Sequence, residues 1–246
     1  MGAFKGWQST RKNKLFAGFP NIITPSSRMA YGFKNPSLFL DAGYNVSSFV
    51  NSAALDFWKD RFSNQSNFAA AGGARPLWIA SDAGYNNNPV ISFSTSQRFT
   101  ASTEIQFKTI VFVGNYAAVN SAYNALLIND GFYNVSLGGL RSNFNSCGIF
   151  KDQNPTTIYI QGTTEDTTVK ICAMSQSAVY INGVNEFTGA WNNELNQSFK
   201  YLGGHPSYST THLNGKVAQL ILFPYLFSDG DLLRISDELN AIYQRY

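Results

Sequence analysis

The sequence predicts an all-β protein: a two-sheet antiparallel sandwich of jelly-roll type, preceded by an extended arm and closed by one short C-terminal helix. Three observations carry this. Only 13% of the 246 residues are charged, against about 25% in a typical domain, while aromatics reach 15%. From Ser37 onward, short apolar runs recur about every 8–15 residues between turn residues, many with alternating polarity. The last thirty or so residues then change period, from a β-branched run to a helical stripe. A chain of this length suits one large sandwich, and no composition break divides residues 37–246.

Residues 1–36 stand apart. They carry Lys5, Arg11, Lys12, Lys14, Arg28 and Lys34 with no acidic residue, so the net charge of +3 divides into +6 on the arm and −3 on the remainder. Pro20, Pro25 and Pro36, with "TPSSR" between them, mark an extended segment. A basic arm on a near-neutral body suits an acidic partner surface and, less well, nucleic acid; a solvated terminus has the same composition.

The predicted strands cover residues 37–41, 89–93, 108–114, 124–130, 133–139, 156–162, 167–175, 178–183, 200–204 and 215–223. Period-two alternation along them implies one buried face. In "SAVYINGVNEF" the pair Asn182-Gly183 supplies the positive φ angles of a tight hairpin, placing Val179 and Ile181 on one face and Ala178 and Tyr180 on the other. "ASDAGYNNNPV" (80–90) reads as a looser turn.

Pro224 stops the last strand, and Ser228 then begins a helix as its N-cap. Asp231 stands at N3 as in a capping box, and Asp229 and Asp231 suit the positive helix end. Leu232, Ile235, Leu239 and Ile242 form a narrow apolar stripe that packs on the sandwich.

No run of about 18 apolar residues predicts a membrane span, and no apolar segment near the start resembles a secretion signal. Cys147 and Cys172 are therefore expected as reduced, buried thiols.

Four segments together resemble the laminin-G-like branch of the concanavalin A-like lectin/glucanase superfamily, found in phage and bacterial surface proteins. They are "SLFLD…FWKDRFSNQSNF" (37–68, with Trp58, Asp60, Ser63 and Asn67), "ARPLWIASDAGYNNNPVISFS" (74–94), "AVYINGV" (178–184) and "LNGKVAQLILFPYLFSDGDLLRISDELNAIY" (213–243). The resemblance spans about 37–246 and implies a jelly-roll sandwich. It leaves function open among lectins, glycanases and structural modules of cell or virion surfaces.

The residues argue against catalysis. The glucanases of that superfamily carry Glu-x-Asp-x-x-Glu on one strand, whereas the acids here are scattered and adjacent Glu165 and Asp166 would face opposite ways. Two histidines, His205 and His212, make no local nucleophile set. With Cys147 they could supply a zinc site, a low-ranking option, and the expectation is that no cofactor is needed. Calcium is a secondary option at loop residues Asp82, Asp130 and Asp152, whose competing role is local turn hydrogen bonding.

Sugar recognition requires exposed rings beside amides or acids, because sugar C–H faces stack on aromatics. Trp191 with Asn192 and Asn193 fits best, followed by Tyr85 and by Tyr208 with His205. The same side chains serve equally as protein–protein anchors.

The combined expectation is a non-enzymatic surface component of a phage or virus: a capsid decoration, head-fibre or tail-associated protein made in host cytoplasm. Lys5, Arg11, Lys12, Lys14 and Arg28 would dock it on other virion proteins or on copies of itself, as an oligomer on the particle, and the sandwich would face cell-surface glycan. The alternatives are a free carbohydrate-binding lectin and, further off, a glycan-active enzyme.

Overall fold

The structure is a computed structural model. It describes residues 36–44, 49–61, 67–70, 75–94, 96–117, 124–128, 133–138, 148–151, 157–161, 167–175, 178–188, 197–207 and 212–246. In chain order the strands begin β1 (Leu38–Asp41), β2 (Ala53–Ala54), β3 (Phe57–Lys59), β4 (Asn67–Ala70), β5 (Leu77–Asp82) and β6 (Asn88–Phe93). They continue with β7 (Phe99–Phe107), β8 (Thr109–Tyr116), β9 (Asn124–Ile128), β10 (Tyr133–Gly138), β11 (Gly148–Lys151) and β12 (Thr157–Gln161). Last come β13 (Lys170–Met174), β14 (Ala178–Ile181), β15 (Val184–Thr188), β16 (Gln197–Leu202), β17 (Gly215–Phe223) and the helix α1 (Asp229–Tyr243).

Two antiparallel sheets result. One runs β15-β14-β13-β8-β17-β6-β5-β2, with β1 also paired to β17; the other runs β12-β11-β10-β9-β16-β7-β4-β3. The predicted two-sheet sandwich with a C-terminal helix is the observed architecture. Strand β17 occupies the predicted 215–223, and Gly215 is required where it starts: a Cβ there would lie 2.0 Å from the Asn115 carbonyl oxygen.

Two apolar cores divide the molecule. Between the sheets, Leu38, Leu40, Phe112, Cys172, Leu220 and Leu222 meet Phe68, Phe99, Phe107, Leu126 and Phe199. On the outer face of the first sheet, Phe39, Val111, Val113, Ile171, Ile221 and Phe223 pack under Leu232, Ile235, Leu239 and Tyr243 of α1. The central strands are thus covered on both faces, which corrects the expectation of one buried face. A strand buried on both sides reads as a continuous apolar run, as in "TIVFV" and "LILF". The Asn182-Gly183 hairpin forms as predicted, with φ of 49° and 76°. Val179 and Ile181 face the inter-sheet core, while Ala178 and Tyr180 face the helix.

Helix α1 starts as its sequence demands. The Ser228 side chain accepts from the Asp231 amide at 3.2 Å. The Ser228 hydroxyl in turn donates to the Asp231 carboxylate at 2.8 Å. Phe227 and Leu232, on either side of the cap, share the core beneath the helix and form a hydrophobic staple. The buried stripe runs Leu232, Ile235, Leu239 and then Tyr243, whereas Ile242 is only partly covered.

The helix end is held by a turn far away in sequence. Asn86 Nδ2 donates to the Ile242 carbonyl at 2.9 Å, Asn88 Nδ2 reaches the same oxygen at 3.4 Å, and Arg245 donates to the Gly84 carbonyl at 3.0 Å. The two amide bonds satisfy the Ile242 carbonyl, a backbone group that the helix end leaves open.

Candidate functional site

Trp191, Asn192, Asn193, Tyr208, Asp130, Asp152, Cys147 and the arm residues Lys5, Arg11, Lys12, Lys14 and Arg28 lie outside the described residues. The other predicted site residues have structural roles, and two expectations, exposed Tyr85 and exposed His205, are corrected. Tyr85 is 1% exposed and offers no stacking platform. Its hydroxyl lies 2.8 Å from both Asn115 Oδ1 and the Lys216 carbonyl. Burial, then the Asp82 charge, pushes this phenol well above its usual pKa. The neighbouring amides Asn86 and Asn88 serve the helix end rather than open solvent. A polar, aromatic loop has the same composition in either role.

His205 is also buried, at 7% exposure. Its Nδ1 accepts from the Ser207 amide at 3.1 Å, and its ring meets Tyr201 edge-on at 5.0 Å. Asp82 caps the 3-10 turn Ala83–Tyr85 through Gly84 N–H at 2.9 Å and pairs with Lys216 Nζ at 2.6 Å. Its oxygens are thus engaged in the local bonding set against the calcium option. Among the described residues no three His, Cys, Asp or Glu side chains converge as metal ligands.

The structure brings together a site elsewhere. At the open edge of the sandwich, where the chain passes from β2 to β3 and so from one sheet to the other, a cleft forms. Phe49, Leu55, Trp58, Trp78 and Ile91 line it together with Asp41, Tyr44, Phe57 and Lys59, and its volume is about 20 Å³.

The segment following β1 is pinned from several directions. Trp58 Nε1 donates to the Asp41 carbonyl at 3.3 Å, and Trp78 Nε1 donates to the Ala42 carbonyl at 2.9 Å. Asp41 Oδ1 accepts from Gly43 N–H at 2.8 Å, and Oδ2 meets Arg61 Nη1 at 2.6 Å. The Arg61 guanidinium lies over the rings of Phe39 and Tyr44, at 5.5 Å and 5.1 Å. Asp60 ties in the same strand by accepting from Phe39 N–H at 3.1 Å.

This framework leaves Tyr44 39% and Phe57 42% exposed. Lys59 Nζ stands 5.2 Å from the Phe57 ring centre. Two partly open rings beside the exposed Lys59 form an amphipathic surface: the rings offer faces for C–H groups, and the ammonium offers charge-assisted hydrogen bonding. Sequence reasoning missed this site because its residues come from four separated segments. The available signal was Trp58 and Asp60, which the resemblance motif already contained.

No family model and no curated protein matches the chain. Among solved structures it is similar to the Trypanosoma rangeli sialidase in complex with the inhibitor DANA, with a TM-score of 0.46 and 15% identity over 89% of this chain and 35% of that one. A mutant of that sialidase displaying trans-sialidase activity gives a TM-score of 0.48 and 13% identity, over 82% and 33%. The Ruminococcus gnavus IT-sialidase CBM40 bound to α2,3-sialyllactose gives 0.38 and 14%, over 53% and 82%. The chain spans about a third of the length of the sialidases, and no residue of these proteins is carried over to it.

Proposed function

We propose that the chain is a non-enzymatic glycan-binding sandwich and that the cleft beside Asp41 is its sugar site. The observation that carries this reading is the pairing of Tyr44 and Phe57, held partly open, with the exposed Lys59 at one apolar cleft. Sugar hydroxyls need fixed hydrogen-bond partners and sugar C–H faces need rings, and the cleft offers both within one rigid edge. A glycan array with the full-length chain tests this reading, followed by titration of the best ligand. Tyr44→Ala and Phe57→Ala each weaken binding about tenfold, as loss of one stacking ring does. Absence of binding to every glycan, or affinity untouched by both substitutions, overturns the reading.

The setting proposed is the surface of a virion, with the arm docked on the particle and the sandwich outward. The division of charge, +6 on residues 1–36 and −3 on the rest, supports it. Purified particles should contain the protein at a fixed copy number. Replacing Lys5, Arg11, Lys12, Lys14 and Arg28 with Glu should release it.

A further inference from the structure

We infer that the glycan received at this cleft is acidic, with a carboxylate or sulfate group of the sugar on Lys59 and a C–H face on the Phe57 ring; the inference rests on the glycan-binding reading above. The cleft's volume of about 20 Å³ holds one small group and not a sugar ring. The sugar itself therefore rests against the exposed lining residues, Tyr44, Phe57 and Lys59.

The charge presented there has one sign. Asp41 and Lys59 are the charged residues of the lining. Asp41 is buried and its charge is met within the protein, by Arg61 Nη1 at 2.6 Å and Gly43 N–H at 2.8 Å. Of the other nearby acids, Asp56 pairs with Arg75 at 3.1 Å. Asp60 is buried and accepts from Phe39 N–H at 3.1 Å. Among the described residues no carboxylate pairs with Lys59, which stays exposed. Its ammonium carries three donors and no acceptor.

The strand also sets the spacing. Phe57 and Lys59 are two residues apart on β3 and so share a face, while Trp58 turns into the inter-sheet core. Lys59 Nζ stands 5.2 Å from the Phe57 ring centre, near enough for one monosaccharide to reach both. A neutral hydroxyl on the ammonium only exchanges one hydrogen bond for the one it gave to water, whereas an anion adds Coulomb attraction. At an exposed site that attraction is modest, and the expected preference is correspondingly small.

The test is a glycan array on the full-length chain in which neutral glycans stand beside carboxylated and sulfated counterparts. Calorimetric titration then compares the best acidic ligand with its neutral counterpart, the methyl ester for a carboxylate or the desulfated sugar for a sulfate. The acidic member should bind about fivefold more tightly at about 0.02 M salt, and this advantage should shrink at about 0.5 M. Lys59→Gln should bring the ratio to about one, and Lys59→Arg should preserve it. Preference within the carboxylated or within the sulfated pairs supports the assignment and names the group. Hits confined to neutral glycans, an acidic ligand no tighter than its neutral counterpart, or a preference that survives Lys59→Gln overturns the assignment and leaves the glycan-binding reading intact. Absence of binding to every glycan overturns both.

Discussion

Asp41 and Arg61 meet at 2.6 Å with side chains only 5% and 12% exposed, so each depends on the other for its charge to be tolerated inside the protein. Removing one partner of such a pair leaves the other buried and uncompensated, at a cost of about 3–5 kcal/mol. Arg61→Ala should lower the unfolding free energy by that amount in urea titrations; a change near zero would show that water already solvates the pair. At this scale the sequence was readable where one residue type fits one backbone demand. Asn182-Gly183 announced a turn with two positive φ angles, and Ser228 announced a cap. It was unreadable where one side chain suits two settings. Tyr85 amid Asn86, Asn87 and Asn88 reads as an exposed platform from composition alone, and only the approach of Ile242, over 150 residues away, makes the loop a clasp.

The clasp makes the end of α1 depend on the β5–β6 turn. Asn86→Ala removes its 2.9 Å bond to the Ile242 carbonyl and should cost about 1 kcal/mol. Amide hydrogen exchange should then speed up in the last helical turn while the first turn, capped by Ser228, stays protected. The same region sets an alkaline limit. Burial, then the charges of Asp41 and Tyr85, holds the Tyr243 phenol well above its usual pKa, and Tyr85 is raised likewise. Groups raised on folding contribute stability that is fully present below the unfolded phenol pKa of about 10 and is lost as pH climbs toward the folded value. The urea midpoint should therefore be level between about pH 7 and 9 and fall above about pH 10. Tyr243→Phe should make that fall shallower; an unchanged slope would mean that other tyrosines dominate. Among the elements, β17 and α1 were legible because an uninterrupted apolar run and a capped stripe are local signals. Strand β7 was not, since Ser102, Thr103 and Glu104 break its alternation opposite an irregular register with β16.

Over the whole molecule, three layers account for what the sequence could and could not convey. The helix covers the outer face of one sheet, so its central strands lose the alternation that marks a solvent-facing side. The cleft exists only because β1, β3 and β5, drawn from both sheets, bring Asp41, Trp58 and Trp78 together. No local pattern encodes that meeting.

The central claim is that this edge, rather than the segment around Trp191, receives the glycan. The indole N–H resonances of the four tryptophans, assigned by single Trp→Phe substitutions, report on both places in one titration. With the glycan selected on the array, the Trp58 and Trp78 signals should shift progressively to saturation while those of Trp7 and Trp191 stay in place. Movement of Trp191 alone, with Trp58 and Trp78 unmoved at saturation, would contradict the account.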